Sequence, residues 1–101
     1  MDVDRAGEHD FATQIEIENA TGRIRAVYLQ VRAGQAPTTG EMVAGTVLAD
    51  YNRQGDLLGV ELLAPCELGV LDEIAQDDAT REYFRRTVPL GFIIPVDCPA
   101  G

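Results

Sequence analysis

The twelve residues from Asp50 to Glu61 read DYNRQGDLLGVE and concentrate the side chains most able to do chemistry. Asp at the first position, Asn at the third, Gln at the fifth, Gly at the sixth and Glu at the twelfth follow a helix–loop–helix calcium loop. Oxygen ligands at alternate positions encircle the ion in such a loop. The segment also suggests a second chemistry. Asp50 and Glu61 are carboxylates that a hairpin would bring together, and such a pair can act as general acid and base when a cleft perturbs one member. Elsewhere reactive residues are sparse. The one histidine, His9, sits in a polar N-terminal stretch, and the two cysteines, Cys66 and Cys98, are too few for a disulfide framework. A Cys–His nucleophile would require His9 to fold back onto Cys66, so both thiols read as structural. Nothing has metal-ligand spacing, and no serine motif or phosphate-cradling glycine loop is present. No cofactor is expected.

What the flanking segments form decides between these chemistries. A calcium loop needs a helix entering at Asp50 and another leaving near Gly59. The entering segment, EMVAGTVLADY, is rich in β-branched and small residues around Gly45, which disfavours a helix. The exiting segment meets Pro65 within about two turns, where a helix would break. Gln54 is also one methylene longer than the pattern allows, and no second loop exists to form a pair. The stretch therefore predicts a β-hairpin, with calcium binding through 50–61 as the alternative.

Period-two alternation predicts the remaining strands. In FATQIEIEN, Phe11, Thr13, Ile15 and Ile17 share one face and Gln14, Glu16 and Glu18 the other. In RIRAVYLQV, Val27, Leu29 and Val31 form one face, while Ile24, Ala26 and Tyr28 make the reverse face apolar too. EMVAGTVLADY reads as a third strand and LLGVELLA as a fourth, stopped by Pro65. Asn19-Ala20-Thr21-Gly22 and Asn52-Arg53-Gln54-Gly55 have the same form: Asn to open a type I turn, Gly for the left-handed residue of a bulge.

Beyond Pro65 the period changes. Leu71, Ile74, Ala75, Ala79 and Tyr83 fall on one helical face, with acids early and arginines late as the helix dipole favours. One helix would account for this. So would two, from Glu67 to Gln76 and from an Asp77-Asp78 cap through Arg86. The tail TVPLGFIIPVDCPAG is too apolar to leave in solvent. It is expected to dock as a short edge strand or arm, on its own or a neighbouring subunit.

One hundred and one residues make one domain: a flexible acidic leader at 1–10 and a single α+β domain at 11–101. Net charge is −9, with all eight basic residues arginine. Residues 1–22 and 66–82 each carry six acids against one arginine, whereas 23–65 balance. Such a surface repels phosphate backbones and argues against nucleic-acid binding. No apolar run is long enough to span a membrane, and the N-terminus lacks signal character. A cytoplasmic location is the expectation.

Arg25-Ala26-Val27-Tyr28-Leu29, the acidic turn Asp50-Tyr51-Asn52-Arg53-Gln54-Gly55 and the following Gly59-Val60-Glu61 carry a resemblance. Residues 15–64 resemble the small bacterial domain-of-unknown-function family 2283, mainly through the second hairpin. The likeness departs at Glu18-Asn19, where Tyr-Asp is usual, and at Arg25, where an acid is usual. It implies a compact α+β domain with no established activity.

The fold expectation is a four-stranded, mostly antiparallel sheet of two β-hairpins, with a C-terminal helical segment and apolar tail packed on one face. The function expectation is a non-catalytic protein-interaction domain. Apolar residues on both faces of the second and third strands suggest uncovered area, hence a homo-oligomer or a small protein partner. A carboxylate-dependent enzyme built on Asp50 and Glu61 is the other alternative.

Overall fold

The computed structural model describes residues 9–34 and 40–94. It is α+β, with five antiparallel strands where four are expected. β1 (Ala12–Ile17) and β2 (Ile24–Gln30) form the first hairpin, and β3 (Glu41–Ala44) precedes β4 (Val47–Tyr51) and β5 (Leu57–Leu62). The spatial order is β1-β2-β5-β4-β3. The two expected hairpins are β1–β2 and β4–β5, joined through a β2–β5 pairing that sets Tyr28 opposite Glu61.

The extra strand comes from Gly45. EMVAGTVLADY is not one strand; the chain reverses at Gly45 (φ +45°), and Met42 pairs back onto Leu48. A left-handed glycine between β-formers makes a tight corner, whereas the alternation alone reads straight through it.

The two Asn-to-Gly corners are related but not copies. At the second, the Gly55 amide donates to the Asn52 carbonyl and the Asn52 amide to the Asp56 carbonyl, both at 3.0 Å, with Gly55 at φ +87°. That is a type I turn closed by a bulge. At the first, the Gly22 amide reaches one residue further back, to the Glu18 carbonyl at 2.8 Å, and Asn19 does not close the turn.

Beyond Pro65, β6 (Cys66–Glu67) leads into α1 (Leu68–Ile74), and α2 (Asp78–Thr87) follows. The two-helix alternative is the correct one. Asp77 caps α2 by accepting from the Thr80 amide at 2.8 Å. The break between the helices shifts the phase of the apolar stripe. Leu71, Ile74, Ala75 and Tyr83 are buried as expected, but Ala79 is exposed, and Thr80 and Phe84 turn inward instead.

Val27, Leu29, Val31, Val47, Ala49, Val60 and Leu62 present one sheet face to Leu71, Ile74, Tyr83 and Phe84. Burying each such leucine or valine contributes about 1.5–3 kcal/mol. The tail continues the same layer. Val88 and Phe92 enter the core, and β7 (Ile93–Ile94) pairs in parallel with β6 of its own chain. That strand joins a separate two-stranded sheet, not the main sheet edge. Residues 95–101, with Cys98, and residues 1–8 of the expected leader lie outside the described residues. No helix among the described residues is long and apolar enough to cross a membrane.

Candidate functional site: the outward face of the sheet

Both helices lie on one side, so the reverse face of the sheet is the place where side chains stand free of the core. Its composition follows from the register. Gln14 is opposite Tyr28, Tyr28 opposite Glu61, Glu61 opposite Leu48 and Leu48 opposite Met42. One row therefore crosses all five strands. On one side of it stand Glu16 and Ala26; on the other, Gln30, Gly59 and Asp50. Gln14, Glu16 and Met42 are exposed, and Tyr28, Leu48, Asp50 and Glu61 are half-buried.

Tyr28 organises this face. Its side chain leans from β2 across Gly59 on β5, toward the Asp50 carboxylate on β4. Burial, together with that carboxylate and the charge of Glu61, pushes the Tyr28 phenol above its ordinary range. The phenol stays protonated at neutral pH and acts as a donor, not a base. Asp50 is packed on its other side by Gly40, where an added Cβ would lie 2.5 Å from Oδ1. Glycines at 40 and 59 are the gaps into which the Asp50–Tyr28 pair fits.

Asp50 and Glu61 do share this face, as a hairpin requires. They are diagonal neighbours, since the residue directly opposite Asp50 is Gly59. Diagonal positions on adjacent strands stand about 7–8 Å apart. Beside Tyr28 and Glu61 lies an open hollow of about 500 Å³, lined also by Gln14, Ile15, Glu16 and Ala26.

The turn of the calcium pattern is held by other bonds. The Asn52 side-chain oxygen accepts from the Gln54 and Asp56 amides, both at 2.9 Å. Gln76, between the helices, accepts from the Leu57 amide and donates to the Gly55 carbonyl, each at 2.9 Å. These bonds hold 52–57 as a turn against the helical layer. No group of three His, Cys, Asp or Glu among the described residues could hold a metal ion.

Neither His9 nor Cys66 joins this face. Cys66 is buried in the core layer, where burial and the neighbouring Glu67 push its thiol up and so keep it unreactive. His9 docks on Asp77 at the start of α2 instead. The arginines of α2 line a second hollow of about 420 Å³ with Asp78 and Glu82. Arg85 is held there by Asp72 at 2.7 Å and Arg81 by Asp78 at 2.6 Å.

Sequence reasoning singled out Asp50 and Glu61 but not the tyrosine between them. A signal existed: Tyr28 sits on the apolar reverse face of its strand, and Gly59 interrupts an otherwise bulky strand. A glycine inside a strand often marks a close approach. No family model, curated protein or solved structure matches this chain.

Proposed function

We propose that the protein is a non-catalytic interaction domain whose outward sheet face takes a partner-protein segment carrying arginine or lysine among apolar residues. The supporting observation is the uncovered row Gln14, Tyr28, Glu61, Leu48 and Met42, flanked by Glu16 and Asp50. It combines an aromatic centre and two apolar side chains with three carboxylates, and no arginine occupies an outward position in these registers. Aromatic anchors ringed by complementary charge are the usual make-up of a recognition surface.

Charge also selects the occupant. Two copies stacked through this face would bring Glu16, Asp50 and Glu61 against their own counterparts, and like-charge juxtaposition opposes docking. A basic segment meets no such repulsion.

The test is to titrate a synthetic amphipathic helix, arginine on one side and leucine on the other, into isotope-labelled protein. The expected amide shifts concentrate at Gln14, Glu16, Tyr28, Leu48 and Glu61. Residues 66–82 provide the control, because that stretch carries six acids against one arginine. Shifts as large there as on the sheet would mean unspecific charge attraction and would overturn the proposal.

A further inference from the structure

β1 is the last strand on its side of the sheet, and no strand among the described residues lies beyond it. The Val31 amide donates to the Leu58 carbonyl, so by alternation Val27 and Leu29 also turn their backbone groups to β5. Ala26, Tyr28 and Gln30 turn theirs to Glu16, Gln14 and Ala12. Thr13, Ile15 and Ile17 are left with N–H and C=O groups directed outward from the edge. The irregularity in this hairpin sits on β2, where Arg25 is the extra residue, so β1 itself stays regular. Sheet edges are commonly blunted by proline, lysine, a bulge or shortness. The opposite edge strand, β3, has four residues and a bulge at Val43. β1 has six, ATQIEI, and none of these devices.

Thr13 meets the Tyr83 hydroxyl of α2 at 3.0 Å, which places Ile15 and Ile17 on the same, helix-bearing side. Both are nonetheless exposed, at 44% and 54%. The start of the strand is already fixed. Phe11 stacks on Tyr83 with centroids 4.3 Å apart, and the Tyr83 hydroxyl donates to the Ala12 carbonyl at 2.7 Å. An ordered edge loses little conformational freedom on pairing.

We propose that β1 pairs antiparallel with β1 of a second copy about a two-fold axis at Ile15, joining the two sheets edge to edge. Charge and register select that occupant. With Ile15 opposite its own counterpart, Thr13 faces Ile17, Gln14 faces Glu16 and Ala12 faces Glu18. The isoleucines cover one another, and no acid opposes an acid. Every neighbouring centre fails in this respect. Centred at Thr13, Glu16 meets Asp10; at Gln14, Glu18 meets Asp10; at Glu16, that residue meets itself; at Ile17, it meets Glu18. Like charges directly opposite one another destabilise a strand pair. The contact is isologous and therefore closes at two copies. It lies along the strand edge and does not depend on what the outward face takes.

Sedimentation between about 10 and about 500 μM is expected to show a monomer–dimer equilibrium. Over the same range the Ile15 amide should exchange more slowly as concentration rises, while Gln14 and Glu16, already bonded to β2, do not change. Gln14→Glu sets a carboxylate against Glu16 of the second copy twice per dimer and should weaken association roughly three- to tenfold. Gln14→Lys should strengthen it by a similar factor. Gln14 is exposed, so both replacements leave the core untouched. The same two replacements at Gln54, exposed in the β4–β5 turn, change net charge equally and should leave association within about twofold. A monomer throughout the range, or a dimer without slowed exchange at Ile15, would overturn the proposal. So would equal effects at Gln14 and Gln54.

Discussion

Tyr28 and Gly59 share one position on the outward face: a Cβ on Gly59 would overlap the Tyr28 hydroxyl and stand 2.5 Å from Cζ. The absence of a side chain on β5 lets a side chain of β2 reach toward a carboxylate on β4. One phenol thus lies across the middle of the sheet, on the side without a hydrophobic layer to fix it.

Gly59→Ala must therefore displace Tyr28, and the Leu29 carbonyl 3.0 Å from the new Cβ leaves little room to yield. The expected cost is about 1–3 kcal/mol, as for other overpacked sites. A double-mutant cycle in urea is the check. In a Tyr28→Ala background the cost should shrink markedly, because the main clash is gone. An undiminished cost would place the conflict in the backbone instead.

Gln76 satisfies the amide of Leu57, a fully buried residue, and the carbonyl of Gly55. Gln76→Ala leaves that amide without its partner, at an expected cost of about 1–3 kcal/mol. Amide exchange at Leu57 should accelerate more than exchange at Val60, showing that the 52–57 turn loosens before the sheet does.

The same turn bears on calcium. With the Asn52 oxygen accepting two amides, an ion would have to break both bonds before using it as a ligand. Millimolar Ca²⁺ is expected to leave the melting temperature unchanged, and a chelator likewise. A rise of several degrees would bring the ion-binding alternative back.

Asp77 gives the fold part of its acid sensitivity. Burial alone would raise its carboxyl pKa, but the Thr80 side chain and amide, and then His9, outweigh that and hold it at about 2 against an ordinary 3.8. A depressed folded-state pKa stabilises above the unfolded value, and the benefit is lost as pH falls from about 4 through about 2. Asp77→Ala should cost about 0.5–2 kcal/mol near neutrality, the worth of an N-cap. Denaturation curves should show that difference closing toward pH 2.

The sequence made the hairpins legible because turn chemistry and alternation agree at β1–β2 and β4–β5. It hid β3 because a single left-handed glycine at 45 looks like an ordinary interruption of a β-rich run. The helical stripe showed where the core would be, but its phase changed at Asp77, which only cap geometry reveals. For the outward face, both carboxylates could be picked out from type and spacing. The place of Tyr28 over Gly59 could not, since it depends on the β2–β5 pairing, and that pairing joins two hairpins with no local signal. His9 was placed in a leader for the same reason: its partner is 68 residues away.

If the outward sheet face is what binds, and not acidity in general, reversing charge on that face should matter more than reversing it elsewhere. Calorimetric titration of the arginine–leucine helix into two charge-matched variants tests it most directly. Glu16→Lys with Glu61→Lys reverses charge on the face, whereas Glu73→Lys with Glu82→Lys does so at exposed helical positions. The expected result is at least about a tenfold loss of affinity in the first pair, about 1.4 kcal/mol, and near-wild-type binding in the second. Equal losses in both would contradict the account.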